Sequence, residues 1–377
     1  MTSETIHLSP PDVGSLEEQY VLSAIRSGWV APLGPEVDAF ESDVARRLGR
    51  AYAVATNSGT AALHLGLLTL GAGPDRVVIV PTLTFAATAN AVVYTGARPF
   101  FVDCDPLTGN IDVGLLHEVL ARLHREGRQV AAVIPVDMFG RCADYERLLP
   151  VCAAAGVPVL EDAAEALGAS RTGQAAGSFG HASVLSFNGN KIITTSGGGM
   201  LLTDDAALAT RVRYLATQAR LPVAHYEHTD IGYNYRLSNI LAAIGRAQLQ
   251  RLDAMIGRRR DLRELYAKSF ASVPGVRLLG EGDPGDNFWL TVIVVNPHEA
   301  GWSAGELACY LRDRHIETRP VWMPMHLQPV HAGVEAAVTG AAERLFATGL
   351  TLPSGSAMNE AQRARVVHAI DSFLASR

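Results

Sequence analysis

Along the first half of the chain, short and nearly continuous apolar runs take turns with longer stretches that repeat an apolar residue every three or four positions. The runs at 51–55, 77–80, 99–102, 130–136 and 157–160 read as strands, and their lack of alternation predicts burial on both faces. Between them the 3.6-residue period predicts helices. One follows Asn57-Ser58-Gly59-Thr60 and carries Ala62, Leu63, Leu65, Leu67 and Leu68; others cover 84–94, 112–125 and 144–155. Repeated strand–helix units of this kind predict an α/β fold with a mostly parallel central sheet flanked by helices. Two helices precede them. Ser15-Leu16-Glu17-Glu18 reads as a capping box, with Tyr20, Val21, Ala24 and Ile25 on one face and a stop at Gly28. Pro35 opens the second, with Val37, Phe40, Val44 and Leu48 inward and Gly49 at its end. Trp29, between the two, reads equally as a core plug or as the lid of a pocket.

The register changes after Gly199. Helices over 205–219 and from Ser238 to about 256 follow, and the strands over 288–295 and 317–319 with helices near 304–314 and 360–374 beyond them predict a smaller α+β domain. The expected division is a large domain of residues 1–245 and a small C-terminal domain of residues 246–377. Arg258-Arg259-Arg260 reads as a solvated helix face.

Composition narrows the class. Hydrophobic residues make up 48% and charged residues 19% of 377, which fits a compact globular protein with a large core. A net charge of −6 argues against a general nucleic-acid binder, so an anionic ligand must be held by local groups. The N-terminus, Met1-Thr2-Ser3-Glu4-Thr5, lacks the basic start and apolar run of a secretion signal, and no apolar run reaches membrane-spanning length. Cys104, Cys142, Cys152 and Cys309 have no close spacing, which predicts reduced thiols, no metal site and a cytoplasmic protein.

Candidate chemistry collects at strand ends, where ligands sit in parallel sheets. Ser186-Phe187-Asn188-Gly189-Asn190-Lys191 presents one lysine in a small polar turn before Gly197-Gly198-Gly199, a setting that suits a Schiff-base nucleophile as well as a solvated surface residue. Asn57-Ser58-Gly59-Thr60 opens a helix and could cradle a phosphate or simply cap the helix. Phe85, after Pro81-Thr82-Leu83-Thr84, could be core or could stack on a flat heterocycle. Glu161-Asp162-Ala163-Ala164-Glu165 places carboxylates at a strand end, where Asp162 could cap a helix or face a protonated ring nitrogen. No GxxxxGK[ST] loop and no helix-opening GxGxxG is present, so neither a P-loop hydrolase nor a dinucleotide fold is supported. A phosphate cradle, a ring stacker, a ring-nitrogen partner and a Schiff-base lysine together point to pyridoxal 5′-phosphate.

The chain resembles the DegT/DnrJ/EryC1/StrS sugar aminotransferases, within the type I fold of pyridoxal-phosphate enzymes. The likeness runs nearly end to end, through Gly28-Trp29-Val30-Ala31-Pro32-Leu33-Gly34-Pro35, Ser58-Gly59-Thr60-Ala61-Ala62-Leu63-His64-Leu65, the lysine turn, Gly232-Tyr233-Asn234-Tyr235-Arg236-Leu237-Ser238-Asn239 and Pro324-Met325-His326-Leu327-Gln328-Pro329. It implies that Lys191 bonds the cofactor and shuttles a proton, that Asp162 pairs with the ring nitrogen and that Phe85 stacks on the ring. Ser58, Gly59, Thr60 and Ser186 would hold the phosphate, helped by Asn234 from a second subunit of a homodimer. Glu165 would meet the cofactor's phenolic oxygen, where many members carry Gln or His. That Glu is similar to the branch acting on C4 of 4-keto-6-deoxy sugars, as in UDP-N-acetylbacillosamine transaminases, although that branch often has Lys where this chain has Met323. Trp29, Val30, Arg236, Arg319 and His326 are the substrate-contact candidates. The implied donor is glutamate and the implied acceptor a nucleotide sugar; a C3 aminotransferase and a pyridoxal-phosphate sugar dehydratase of the same family are the alternatives. The dehydratases replace the lysine with histidine, against which Lys191 argues.

Overall fold

The computed structural model describes residues 4–377, so the first three residues of the segment read for a leader lie outside it. Helices α1 (Ser15–Ser27) and α2 (Pro35–Leu48) come first. Then follow β1 (Tyr52–Thr56), α3 (Gly59–Thr69), β2 (Val77–Pro81), α4 (Ala86–Tyr94), β3 (Arg98–Val102), α5 (Val113–Arg125), β4 (Val130–Val133), α6 (Tyr145–Ala154) and β5 (Leu160–Asp162). A small hairpin, β6 (Ser170–Arg171) and β7 (Gln174–Ala175), precedes β8 (Ala182–Ser186), β9 (Gly199–Thr203) and α7 (Ala206–Ala216). Strands β1, β9, β8 and β5 are bonded in that order, and parallel bridges Val133↔Val159 and Val136↔Asp162 join them to β4, β2 and β3. Only β9 runs against its neighbours among β1, β9, β8 and β5, so the sheet is mostly parallel as expected. Its strands are buried on both faces, which explains why they read as unbroken apolar runs.

The first helix begins one residue earlier than its sequence suggests. Gly14, not Ser15, is the cap residue, and the Glu17 carboxylate accepts from Gly14 N at 2.7 Å. Asn239 anchors the second helix from far away in sequence: its Oδ1 accepts from Glu36 N (2.9 Å) and Val37 N (3.2 Å), while its Nδ2 donates to Trp29 O (2.9 Å). Gly34 is required here, because it has a φ of +141° and a Cβ would overlap the Asn239 side chain.

Helix α8 (Asn239–Phe270) is 32 residues long and runs well past the end at 256 expected from its pattern. Residue 245, the expected limit of the large domain, lies inside it. Three consecutive residues cannot share one helix face at 100° each, and the arginine triplet on α8 divides accordingly. Arg260 lies over Phe288, whereas Arg259 is only 2% exposed and donates to Trp289 O (2.8 Å) and Ser354 O (3.0 Å). The solvated-face reading therefore fails for Arg259.

Beyond α8, strands β10 (Val276–Leu278), β11 (Thr291–Val295), β12 (Arg319–Pro320) and β14 (Gly349–Leu352) form an antiparallel sheet. Helices α9 (Pro297–Ala300), α10 (Ala304–Arg312) and α12 (Glu360–Ala375) belong to the same lobe. The chain returns once to the large sheet: β13 (Ala336–Ala337) pairs in parallel with β3, ahead of α11 (Ala341–Thr348). Asp103, fully buried at the end of β3, accepts from Thr339 Oγ1 (3.0 Å), Ala341 N (3.1 Å) and Ala342 N (2.9 Å). The four cysteines are free and no metal-binding group occurs among the described residues, whose helices include none long and apolar enough to cross a membrane.

Beneath the sheet lies a buried acid pair. Glu161 accepts from Gly177 N (2.6 Å) and Phe179 N (2.7 Å), and Asp137 Oδ1 accepts from Ala143 N and Tyr145 Oη, both at 2.8 Å. Burial, the leading cause, pushes both carboxyls upward from the ordinary range, and each acts on the other. The pair stays protonated where the unfolded chain would release protons near pH 4, so its own contribution to stability is greatest in acid and is lost as pH rises through neutrality. Asp137→Asn supplies an N–H to Glu161 at every pH. It should raise the melting temperature at pH 8 by roughly 2–4 °C, with a smaller gain at pH 5; calorimetry at the two pH values checks this.

Candidate active site

Four strand ends converge between the lobes. After β1, Ser58 is extended (φ −163°, ψ 158°) and its hydroxyl accepts from Ala61 N at 3.0 Å. The first amides of a helix have no partner inside it. With Ala61 served by Ser58, the Gly59 and Thr60 amides remain at the positive end of α3, and both residues line a cavity of about 700 Å³. Gly199 is needed opposite them, since a Cβ there would overlap Ser58 and Gly59 N. Ser186 ends β8 against the same point, in contact range of a Cβ at Gly59 (3.1 Å).

The lysine turn leaves β8 directly. Phe187 N donates to Gly198 O (2.8 Å) and Lys191 N to Asn188 O (3.0 Å), which fixes the backbone of the turn. The Asn190 carbonyl accepts from Trp289 Nε1 (2.7 Å) and Ser9 Oγ (2.9 Å), and Arg259 Nη2 donates to Ser9 Oγ (3.2 Å). Lys191 is thus pinned through its neighbour by both the N-terminal segment and the small lobe. Its Nζ lies 3.7 Å from Glu165 Oε1 and 4.1 Å from the Trp289 ring centre, with the side chain 12% exposed. The chain contains two lysines, Lys191 and Lys268. Lys268 sits near the far end of α8, so Lys191 is the amine available at the cavity.

Two buried carboxylates face it. Asp162 ends β5; its Oδ2 accepts from Thr88 Oγ1 (2.8 Å) and its Oδ1 from Ala164 N (3.2 Å). Burial pushes this carboxyl up, against the pull of Thr88, Ala164 and Lys191. Burial likewise pushes Glu165 up to about 7, against the Lys191 ammonium and the Phe139 amide, whose N donates to Oε2 at 2.8 Å. Phe139 holds that amide in a left-handed conformation (φ +55°), sparsely populated for a non-glycine residue. Its ring stacks on Trp322 (4.8 Å, 22°), and Phe85, 55% exposed, meets Trp322 edge-on at 6.1 Å.

The cavity therefore collects Ser58, Gly59, Thr60, Phe85, Asp162, Glu165, Ser186, Lys191 and Arg319 from the expected set. Five expected residues do not line it. Trp29 and Val30 are exposed on the outer turn between α1 and α2, so Trp29 is neither core plug nor lid of this cavity. Asn234 is exposed, with its carbonyl accepting from Asn57 Nδ2 (3.2 Å). Arg236 lies 3.6 Å from Glu41. His326 joins Thr82 Oγ1 (2.6 Å) and Glu343 (3.2 Å). Conversely, Thr88, Trp289, Trp322 and the segment His7–Pro11 line the cavity without having been anticipated. The tryptophans, just outside β11 and β12, carry no polar signal and read as core.

The residues present fit pyridoxal phosphate. Two unpartnered helix-end amides and the Ser186 hydroxyl suit a phosphate, and exposed Phe85 offers a flat face. A cationic ring nitrogen beside Asp162 would favour its ionised form against the upward push of burial.

The sequence model of the DegT/DnrJ/EryC1/StrS aminotransferase family matches residues 11–371. The chain belongs to this family. EpsN of Bacillus subtilis (strain 168), described as a pyridoxal phosphate-dependent aminotransferase, is 43% identical over 97% of this chain and 95% of its own. GDP-perosamine synthase of Caulobacter vibrioides is 36% identical over 98% of both chains. The crystal structure of the aminotransferase TlmJ from Streptoalloteichus hindustanus superposes with a TM-score of 0.90 at 30% identity, over 98% of this chain and 99% of that one. The DegT-family protein is a pyridoxal phosphate-dependent sugar aminotransferase of the type I fold. Borohydride reduction of the cofactor-loaded protein should fix one cofactor to the peptide containing Lys191 and leave Lys268 free. Lys191→Ala should remove both the label and the visible absorbance; peptide mapping by mass spectrometry checks the first.

Proposed function

We propose that this aminotransferase moves an amino group from glutamate to a nucleotide-linked 4-keto-6-deoxy hexose and places it on C4. The observation that carries this reading is the meeting, in one cavity, of a single lysine amine with two buried carboxylates and a rim arginine. GDP-perosamine synthase, similar over both full lengths, is named for a nucleotide-linked amino sugar, which supports that substrate class here.

Each side chain has a task set by its surroundings. Lys191, desolvated between Glu165 and Trp289, is the amine that would bond the cofactor and hold and return the proton in transfer. Asp162, steered by Thr88, keeps the ring nitrogen protonated. Bound pyridoxal phosphate supplies an electron-accepting ring. Phe85 would cover the ring, while the Gly59 and Thr60 amides, Ser58 and Ser186 would hold its phosphate. Glu165, near pH 7 in its titration, shares a proton with the phenolic oxygen. Asn234, exposed and outside its own cavity, serves the phosphate of a second copy in a homodimer.

Three measurements test these roles. The pyridoxamine-loaded protein, offered a panel of nucleotide keto-sugars, should regain its yellow absorbance with 4-keto-6-deoxy hexoses; a response confined to 3-keto sugars would overturn the C4 placement. Glu165→Gln keeps a neutral hydrogen bond at every pH, so the wild-type step near pH 7 in the titration of that absorbance should vanish, and a step that persisted would count against the shared proton. Sedimentation should give twice the chain mass, with Asn234→Ala retaining less cofactor; an active monomer would sink the shared site.

A further inference from the structure

The mouth of the cavity carries a charged cluster built from both ends of the chain. Arg319 opens β12, which is held to β14 by the pairing Arg319↔Thr351 and by Thr351 Oγ1 donating to Arg319 O at 2.7 Å. Its root is fixed while its side chain is 69% exposed. Its Nε and Nη2 both donate to Glu317 Oε1, at 3.1 and 2.8 Å. Glu317 Oε2 accepts from Leu8 N (3.2 Å) and lies 3.1 Å from His7 Nδ1. Partial burial draws the Glu317 carboxyl upward, but the Arg319, Leu8 and His7 contacts outweigh it and hold the group below the usual carboxylate range. The guanidinium thus spends its side edge on Glu317, leaving the end-on edge formed by Nη1 and Nη2. That edge has the fork geometry that a carboxylate accepts with two parallel hydrogen bonds.

Charge decides which anion fits. Among the described residues lining the cavity, the cationic side chains are Lys191, Arg319 and, when protonated, His7; the carboxylates are Asp162, Glu165 and Glu317. Lys191 is occupied with Glu165. Arg319 beside Glu317 makes a pair with no net charge. Within this chain's own lining, a diphosphate would bring two close negative charges against Glu317 with no second strong cation to meet them. A single carboxylate is matched by one guanidinium edge.

We propose that Arg319 seats a carboxylate of the amino donor on its end-on edge, with Glu317 as the positioning residue that holds the other edge. The proposal rests on glutamate being the donor. It makes the donor, rather than the nucleotide of the acceptor, the ligand read by this rim.

Calorimetry on the cofactor-loaded protein, with glutarate as a five-carbon dicarboxylate probe and UDP and GDP as diphosphate probes, tests it. Arg319→Gln should weaken glutarate roughly 10- to 100-fold and leave UDP and GDP within about two-fold. Arg319→Lys should fall between, because it keeps the charge and loses the fork. Glu317→Gln removes the like charge and should tighten glutarate roughly two- to five-fold. Unchanged glutarate affinity in Arg319→Gln, a loss of UDP or GDP affinity in its place, or no tightening in Glu317→Gln would overturn the proposal. Bleaching of the yellow absorbance by glutamate is followed alongside. If wild type bleaches while these affinities fail, only the seat is wrong; if it never bleaches, the donor assignment itself falls.

Discussion

A carboxylate stays ionised inside a protein only while donors or cations face it, because the interior cannot solvate charge as water does. The cavity of this aminotransferase buries Asp162 and Glu165 almost completely and supplies few partners to either. Asp162 has a hydroxyl and one amide; Glu165 has one amide and an ammonium at 3.7 Å. Burial therefore pushes both groups toward the protonated form, Glu165 to about 7. A site in this condition is primed for a cationic heterocycle and for proton transfer near neutral pH, which is what removing and returning an α-proton requires.

Holding Lys191 in this setting takes much of the molecule. Its turn comes from the large sheet, but Asn190 is fixed by Ser9 from the N-terminal segment and by Trp289 from the small lobe. Arg259 stands behind both, bonded to the Trp289 carbonyl and to Ser9. Trp322 closes the wall by stacking on Phe139, whose amide orients Glu165. The small lobe thus reaches the lysine and its carboxylate partner through one aromatic contact each, and any shift between lobes would be felt at both.

The parts of this arrangement that were legible in the sequence are local. Strands buried on both faces read as apolar runs, and the residues at their carboxyl ends stand out because they are small, polar or charged where the pattern is otherwise apolar. Ser58, Asp162 and Lys191 are of this kind. Long-range partners left no such mark. Trp289 and Trp322 are apolar residues in or near apolar strands, and Thr88 is one of many threonines. Arg259 was hidden inside a run of three, where periodicity alone decides which arginine turns inward. The length of α8 was missed because its pattern weakens near 256 just where both lobes begin to cover it. Asn234, Arg236, Trp29, Val30 and His326 do not line the cavity of their own chain, a placement that motif order alone does not specify.

The return of the chain to the large sheet has a consequence for its synthesis. Strand β13 covers the edge of β3, and the Asp103 carboxylate is satisfied by amides of residues 339–342. A ribosome delivers the N-terminal residues first. While the middle of the chain is being made, β3 presents an open edge and Asp103 keeps only the Cys104 amide among its donors, although the rest of the sheet is already available to assemble. Until the last tenth of the polypeptide emerges, that edge is the place where a nascent copy could pair wrongly with another, and chaperone shielding would matter most there.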